Sequence, residues 1–359
     1  MNDWQQQAHI KISCRELVTE ATFLQELGFR TEQVFPADNP RYMILTGWGL
    51  VLRLERGLPV NDLTLLLPEN APQTDEFCVS PSGVTVVRQS KVQQLSSSWS
   101  EPEFVVNRLS EEASWVTGRA GMRYRDLLPG RLNGLMIASN ICIPDGGLVA
   151  DQVHFHEVGF QLIACTKGWV TVVYEDQGEP FRLTAGDCVT QPPGIRHRVI
   201  ESSDAMEVIE IGLPAEHLTS MDHQMKLPNE QLFRDRLYHG QRFSHHKHRE
   251  AQWEDWQGAQ WQRCASEVAT DSGGLFAVNY FRTGSAQTPA LSWSHQNPLR
   301  WYYLISGCCE LQQHDGRVLP LSAGDSFLLP ANQSVSFSQA DDEFQCLELV
   351  MMKQPDEFL

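Results

Sequence analysis

Apolar and polar residues alternate over residues 9–15, HIKISCR, as in a half-buried strand, and ELVTEATFLQELGF follows with apolar positions at helical spacing and Gly28 just past its end. Three more strand-like runs, TEQVFPA, RYMILTGWG and LVLRLERG, are separated by turn residues and give the order β-α-β-β-β. DLTLLLPE and SPSGVTVVRQS read as the remains of a second such unit. From about residue 130 the texture changes to short β-rich runs punctuated by Gly, Pro, Asn and Asp, the pattern of an antiparallel barrel or sandwich. Helical periodicity returns only near residues 225–262.

The β-rich part is duplicated. GLMIASNICIPDGG corresponds to GLFAVNYFRTGSAQ, CTKGWVTVVYED to LISGCCELQQHD, and LTAGDCVTQPPGIRH to LSAGDSFLLPANQSV, at an offset of about 139 residues. A polar stretch, MDHQMKLPNEQLFRDRLYHGQRFSHHKHREAQWEDWQ, joins the two copies.

The first copy carries H-x-H-x4-Q-x6-G from His154 through His156 and Gln161 to Gly168, then G-x5-P-x-G-x2-H from Gly186 through Pro192 and Gly194 to His197. Residues two apart on a strand share a face, so His154 and His156 point into the barrel, and the PPGIRH turn brings His197 opposite them. Three imidazoles on one interior face suit Fe, Mn, Co, Ni, Cu or Zn as divalent ions. Without a metal, several buried ring nitrogens would need other partners, at a cost. Glu157 has the wrong parity and is expected to point out of the barrel.

This pair of motifs resembles the cupin superfamily. The resemblance implies two tandem antiparallel β-barrels, a mainly β fold, with His154, His156 and His197 as metal ligands and Gln161 where the family places a glutamate. With a neutral amide there, nothing in the predicted ligand set offsets the charge of the ion. The site should then favour an anionic ligand, with Gln161 either a weak ligand or a hydrogen-bonding neighbour. Several cupins with three-histidine iron sites, the two-barrel gentisate dioxygenase among them, are dioxygenases. The expectation is therefore an Fe(II)-type dioxygenase acting on a small anionic aromatic or dicarbonyl substrate; a metal-dependent isomerase or lyase, or a non-catalytic binding or sensor protein, are the alternatives.

Cys165 shares parity with Gln161 and is expected at the cavity wall, as a small core residue more than a reactive thiol; Arg196 and Arg198 flank His197 as candidate anion anchors or solvated charges. In the second copy Trp293, His295, Arg300 and Val335 stand at the positions of His154, His156, Gln161 and His197, so no metal is expected there. Arg300, if inward, would bind an anionic group, or else contact Trp301. That copy is expected to pack on the first and close its barrel edges. HHKH at residues 245–248 reads as a solvated surface tract.

The β-α-β-β-β order with FLQELGF in the helix and a leading His resembles one module of the vicinal oxygen chelate superfamily, which includes glyoxalase I and bleomycin-resistance proteins. The matching metal positions would be His9 and Arg53 or Glu55; Arg53 stands where the direct alignment wants the acid, and a structural or dimerising role is expected for this region. The organisation read from the chain is residues 1–95 as this α+β domain, 96–222 as the metal-binding cupin and 223–359 as a degenerate cupin.

The formal charge of -17 at pH 7 disfavours nucleic acid or an anionic membrane as partner. No long uncharged apolar stretch or signal-peptide pattern is visible, so a cytoplasmic location, a small-molecule ligand and a possible homodimer are expected. Nine cysteines, with no C-x-x-C spacing, read as buried thiols.

Overall fold

The computed structural model describes residues 3–57, 64–67, 77–79, 85–88, 101–109, 115–256, 260–283 and 290–355. The N-terminal order is β1 (His9–Cys14), α1 (Leu17–Glu26), β2 (Arg30–Phe35), β3 (Tyr42–Gly47) and β4 (Leu50–Arg56). β2, β3 and β4 pair antiparallel, and β4 pairs β1 in parallel, as a crossover through α1 requires. Leu17, Ala21 and Leu24 recur along one face of α1 and are buried against Leu45, Leu52 and Leu54 of the sheet.

The first duplicated unit is built from two facing sheets. One runs Phe181–Thr184, Trp169–Tyr174, His197–Ser202, His154–His156, Thr219–Met221; the other includes Cys188–Thr190, Phe160–Lys167, Met206–Leu213 and Ile137–Ile143. The second unit repeats the plan, with Phe276–Thr283, Gln345–Met351, Leu299–Ser306 and Ser326–Pro330 in one sheet and Leu291–Ser294, Ser334–Ser338, Cys308–Gln313 and Val318–Ser322 in the other.

The strand Phe160–Lys167 shows why its sequence is apolar at nearly every position. Gln161 lines the barrel interior, as do Ile163 and Glu210 across from it, while Phe160, Leu162 and Ala164 point the other way into a core shared with Val278, Trp301 and Leu349 of the second unit. Both faces are buried, so the period of two is masked. The two units therefore pack face to face through this core, and the expected closure of barrel edges is replaced by sheet-on-sheet packing.

Two strands cross the expected boundaries. Val105–Asn107, placed in the first unit by sequence, pairs with Ser326–Pro330 of the second. His245–His246, placed in the second, pairs with Cys188–Thr190 of the first. HHKH is accordingly no solvated tract. His246 stacks on Tyr280 of the second unit at 5.0 Å, and the backbone N–H of His248 donates to Asp187 Oδ1 at 2.8 Å. Helical periodicity near 225–262 did not mark a helix: the described residues there form short strands, turns and one 3-10 turn, His248–Glu250.

The N-terminal unit is not an appendage. β2 pairs with Thr219–Met221, Gln33 opposite Ser220 and Val34 opposite Thr219, and Thr219–Met221 in turn pairs with His154–His156. One continuous sheet thus runs from the N-terminal unit into the wall of the first barrel.

Among the described residues the cysteines are unpaired; five are buried and Cys308 is exposed. No helix among them is long and apolar enough to cross a membrane.

Candidate metal centre

His154, His156 and His197 meet inside the first barrel. His154 lies opposite His197 in register on the adjacent strand, and His156 follows two residues on, on the same face. Gly194 has φ +76, which a glycine adopts without a Cβ penalty, and it turns the chain so that His197 enters its strand facing inward. The rings stand 4.3 to 5.2 Å apart between centroids, and one ligating nitrogen from each lies within 4.8 Å of the others. All three are buried, and no other group of three His, Cys, Asp or Glu side chains with ligand geometry occurs among the described residues.

Hydrogen bonds behind the rings decide which nitrogen faces the centre. His154 Nδ1 lies 2.7 Å from the carbonyl of Gln152, His197 Nδ1 3.0 Å from that of Ile195, and His156 Nδ1 3.0 Å from Thr219 Oγ1. A carbonyl oxygen can only accept, so the first two Nδ1 atoms carry the proton and their Nε2 lone pairs are left for a metal. Thr219 Oγ1, a hydroxyl that can accept, is placed to hold His156 in the same way. Each imidazole thus has the tautomer and the anchor that a metal ligand needs, and the residues fit a divalent ion.

Gln161 is fully buried beside this cluster. Its Nε2 donates to Glu210 Oε1 at 2.6 Å, while its Oε1 has no hydrogen-bond partner. A buried amide oxygen without a protein partner is available to an ion, a water or a bound ligand's donor.

Glu210, on the strand Met206–Leu213, is the residue that sequence reasoning missed. It lines the same cavity, 8% exposed. It adds no ligand to the histidine cluster but brings a carboxylate to the cavity wall from a different strand. Its signal was present as an acid inside the apolar run VIEIGL, at a position whose parity matches Gln161 across the pair Ile163–Glu210.

The cavity has a volume of about 80 Å3. Ile141, Ile163, Val172 and Met206 are among its apolar lining, and Tyr174 and Gln191 add polar groups, Gln191 Nε2 donating to the Tyr174 hydroxyl at 2.8 Å. Burial raises the Tyr174 phenol far above its ordinary value, so it stays protonated, stacked 5.4 Å from the His197 ring. Ala37 of the N-terminal unit reaches the cavity as well. Its loop seats against Gly118, where an added Cβ would lie 2.6 Å from the Ala37 carbonyl. Asp38, buried next to it, pairs with Arg131. His217 stands 5.2 Å from His156, edge to face, with its Nδ1 against the Pro214 carbonyl, and does not line the cavity.

Three expected site residues are not at the site. Cys165 packs in the core with Val170 and Val208, its thiol directed at the carbonyls of Lys167 and Gly168, and burial pushes it up to about 12. Arg196 faces away, paired with Asp222 at 3.1 Å and lying over the Phe155 ring. Arg198 is likewise absent from the cavity wall. Alternation explains both arginines, because neighbours of an inward His197 point outward. Glu157 is exposed, as its parity required.

In the N-terminal unit His9 is fully buried against the Trp4 carbonyl and pairs in register with Val51, while Arg53 and Glu55 pair with each other at 3.1 Å. These three form no metal-ligand group.

Two β-barrels in tandem, the first with three inward histidines and the second without, define a two-barrel cupin fold. Residues 140–212 match the family model described as cupin domain. Among solved structures, a variant of Bacillus subtilis oxalate decarboxylase is similar with a TM-score of 0.51 at 12% identity, covering 69% of this chain and 77% of that one. The same enzyme at pH 4.6 gives 0.50 at 12% identity, with 68% and 75% covered. The protein Ylba from E. coli gives 0.49 at 12% identity, with 71% and 93% covered. No curated protein matches the chain. At 12% identity the likeness to the decarboxylase is one of fold.

Proposed function

We propose that the first barrel is a metal-dependent catalytic centre for a small chelating substrate, with an Fe(II)-type dioxygenase as the leading reading. The observation that carries it is the convergence of three buried imidazoles, each with Nδ1 held from behind, on a cavity whose other polar groups are Gln161, Glu210 and the Tyr174–Gln191 pair. A bound divalent ion supplies Lewis acidity there and, for iron, redox chemistry with O2. His154, His156 and His197 would hold it, and Gln161 lines the same cavity.

The cavity's about 80 Å3 is room for several water-sized occupants, and much of its lining is apolar, so the substrate is compact with a hydrophobic body. No lysine or arginine lines it. An anionic head, an enolate, phenolate or oxo acid, therefore has only the metal and the neutral donors for partners. The N-terminal unit, whose element order resembles a vicinal oxygen chelate module, serves in this reading as scaffold and as part of the cavity wall through Ala37.

Glu210 favours a second reading. A carboxylate in the cavity but outside the ligand cluster can take a proton from carbon or oxygen of a bound substrate, which is what an isomerase or lyase requires. The two readings separate on one experiment: with the Fe(II)-loaded protein and a panel of phenolic and dicarbonyl acids, O2 uptake coupled to substrate loss supports the dioxygenase. Turnover that continues without O2 and with Mn or Zn supports the isomerase or lyase, and a protein holding no stoichiometric metal overturns both.

A further inference from the structure

The second barrel has lost the metal ligands, yet its interior keeps a polar pocket at the equivalent place. Arg300 stands where Gln161 does in the first barrel and Glu348 where Glu210 does, on strands paired in the same way. Glu348 is fully buried and well supplied with donors: Tyr302 OH at 2.7 Å and Arg300 Nη1 at 2.8 Å on one oxygen, Asn279 Nδ2 at 2.7 Å on the other. Its charge is met by Arg300.

Arg263 is left over. It lines the same pocket from the neighbouring strand Trp261–Ala265 and donates from Nη2 to Asn279 Oδ1 at 2.9 Å, with no carboxylate partner among the described residues. Glu254, opposite it in register, is exposed and makes no ion pair with it. The Nε atoms of both Arg263 and Arg300 are buried without a hydrogen-bond partner. The pocket, of about 260 Å3, is closed on one side by the Trp256 indole and offers Asn297 beside Arg300.

We propose that this pocket binds a small organic carboxylate, its anionic end between Arg263 and Arg300 and its flat apolar body against Trp256. Two guanidinium groups against one buried carboxylate leave a net positive charge in a site lined also by Trp256 and Phe281, and an incoming anion removes that imbalance. The guanidinium Nη N–H groups are the donors that recognise a carboxylate in its own plane. The tryptophan face selects for a planar substituent over a bare inorganic anion. The ligand is then held apart from the metal centre by the core that lies between the two barrels.

The test is a 19F NMR titration of the full-length, metal-loaded protein with 4-fluorobenzoate. Saturable binding is expected. Arg263→Gln should weaken it by roughly tenfold or more, since a charge-assisted hydrogen bond is lost. Arg263→Lys should fall between, because the charge stays and the fork is lost. His197→Ala, in the other barrel, should leave the affinity unchanged. Absence of saturable binding below about 10 mM, unchanged affinity in Arg263→Gln, or loss of binding in His197→Ala would each overturn the proposal, the last by assigning the ligand to the metal cavity. Should Arg263→Gln prove misfolded by circular dichroism, Trp256→Ala takes its place, and an affinity unaffected by that change is equally fatal.

Discussion

Gln161 and Glu210 meet across two adjacent strands of the first barrel, the amide Nε2 2.6 Å from the carboxylate Oε1. The amide is anchored by this bond while its oxygen is buried without a hydrogen-bond partner, and the acid is held at the wall without belonging to the histidine cluster. On the isomerase or lyase reading, Glu210→Gln should therefore retain the metal but lower turnover by about 10²–10⁴-fold, the span of a general acid or base. Elemental analysis alongside steady-state rates checks this; metal loss on that substitution would instead make Glu210 a ligand.

His197→Ala removes one of three Nε2 donors and should reduce bound metal from one ion per chain to a small fraction, measured by elemental analysis after dialysis. Thr219→Val tests the supporting contact at His156 Nδ1, 3.0 Å away. Loss of that acceptor should weaken metal binding by roughly 10–100-fold with the fold intact, read by competition with a chromogenic chelator.

Acid should loosen the packing of the histidine segment 245–248 against the barrels. Burial pushes His245 down to about 4, and lowers His246 and His248 as well. In the native protein these rings stay neutral where an unfolded chain, titrating near 6.5, already binds protons. Their contribution to stability is thus complete above about pH 6.5 and is lost as the pH falls from there toward about 4. Thermal melts across that window should show a falling Tm, and His245→Gln should flatten the slope without lowering the Tm measured at pH 8; an unchanged slope would show that other groups set the acid limit.

Phe160 of the first barrel stacks on Phe276 of the second, with centroids 4.2 Å apart and both side chains fully buried. Phe160→Ala should cost about 3–5 kcal/mol by urea denaturation. A double-mutant cycle with Phe276→Ala should return a coupling of about 0.5–1.5 kcal/mol. Independent, additive losses would mean that the two barrels do not share one core.

Much of the site was legible because it rests on local spacing. His154 and His156 share a face by strand alternation, His197 follows a turn whose glycine is in the sequence, and the outward direction of Glu157 comes from the same parity. The same rule, applied to Arg196 and Arg198, would have turned them away from the cavity. Cys165 has the inward parity but lies farther along its strand, beyond the cavity, a distance that alternation does not encode.

The sequence by itself determined the element order of the N-terminal unit, the duplication, and which three imidazoles share an interior face, since each follows from residues near one another in the chain. Tertiary structure decided the rest. It placed the carboxylate of Glu210 against Gln161, 49 residues away. It joined β2 to the strand that carries Thr219, and so to the histidines, and it sent Val105–Asn107 and His245–His246 each into the other barrel's sheet. Backbone hydrogen bonds between strands are indifferent to side-chain identity, so which edges meet is set by how the whole chain packs, and no local pattern records it.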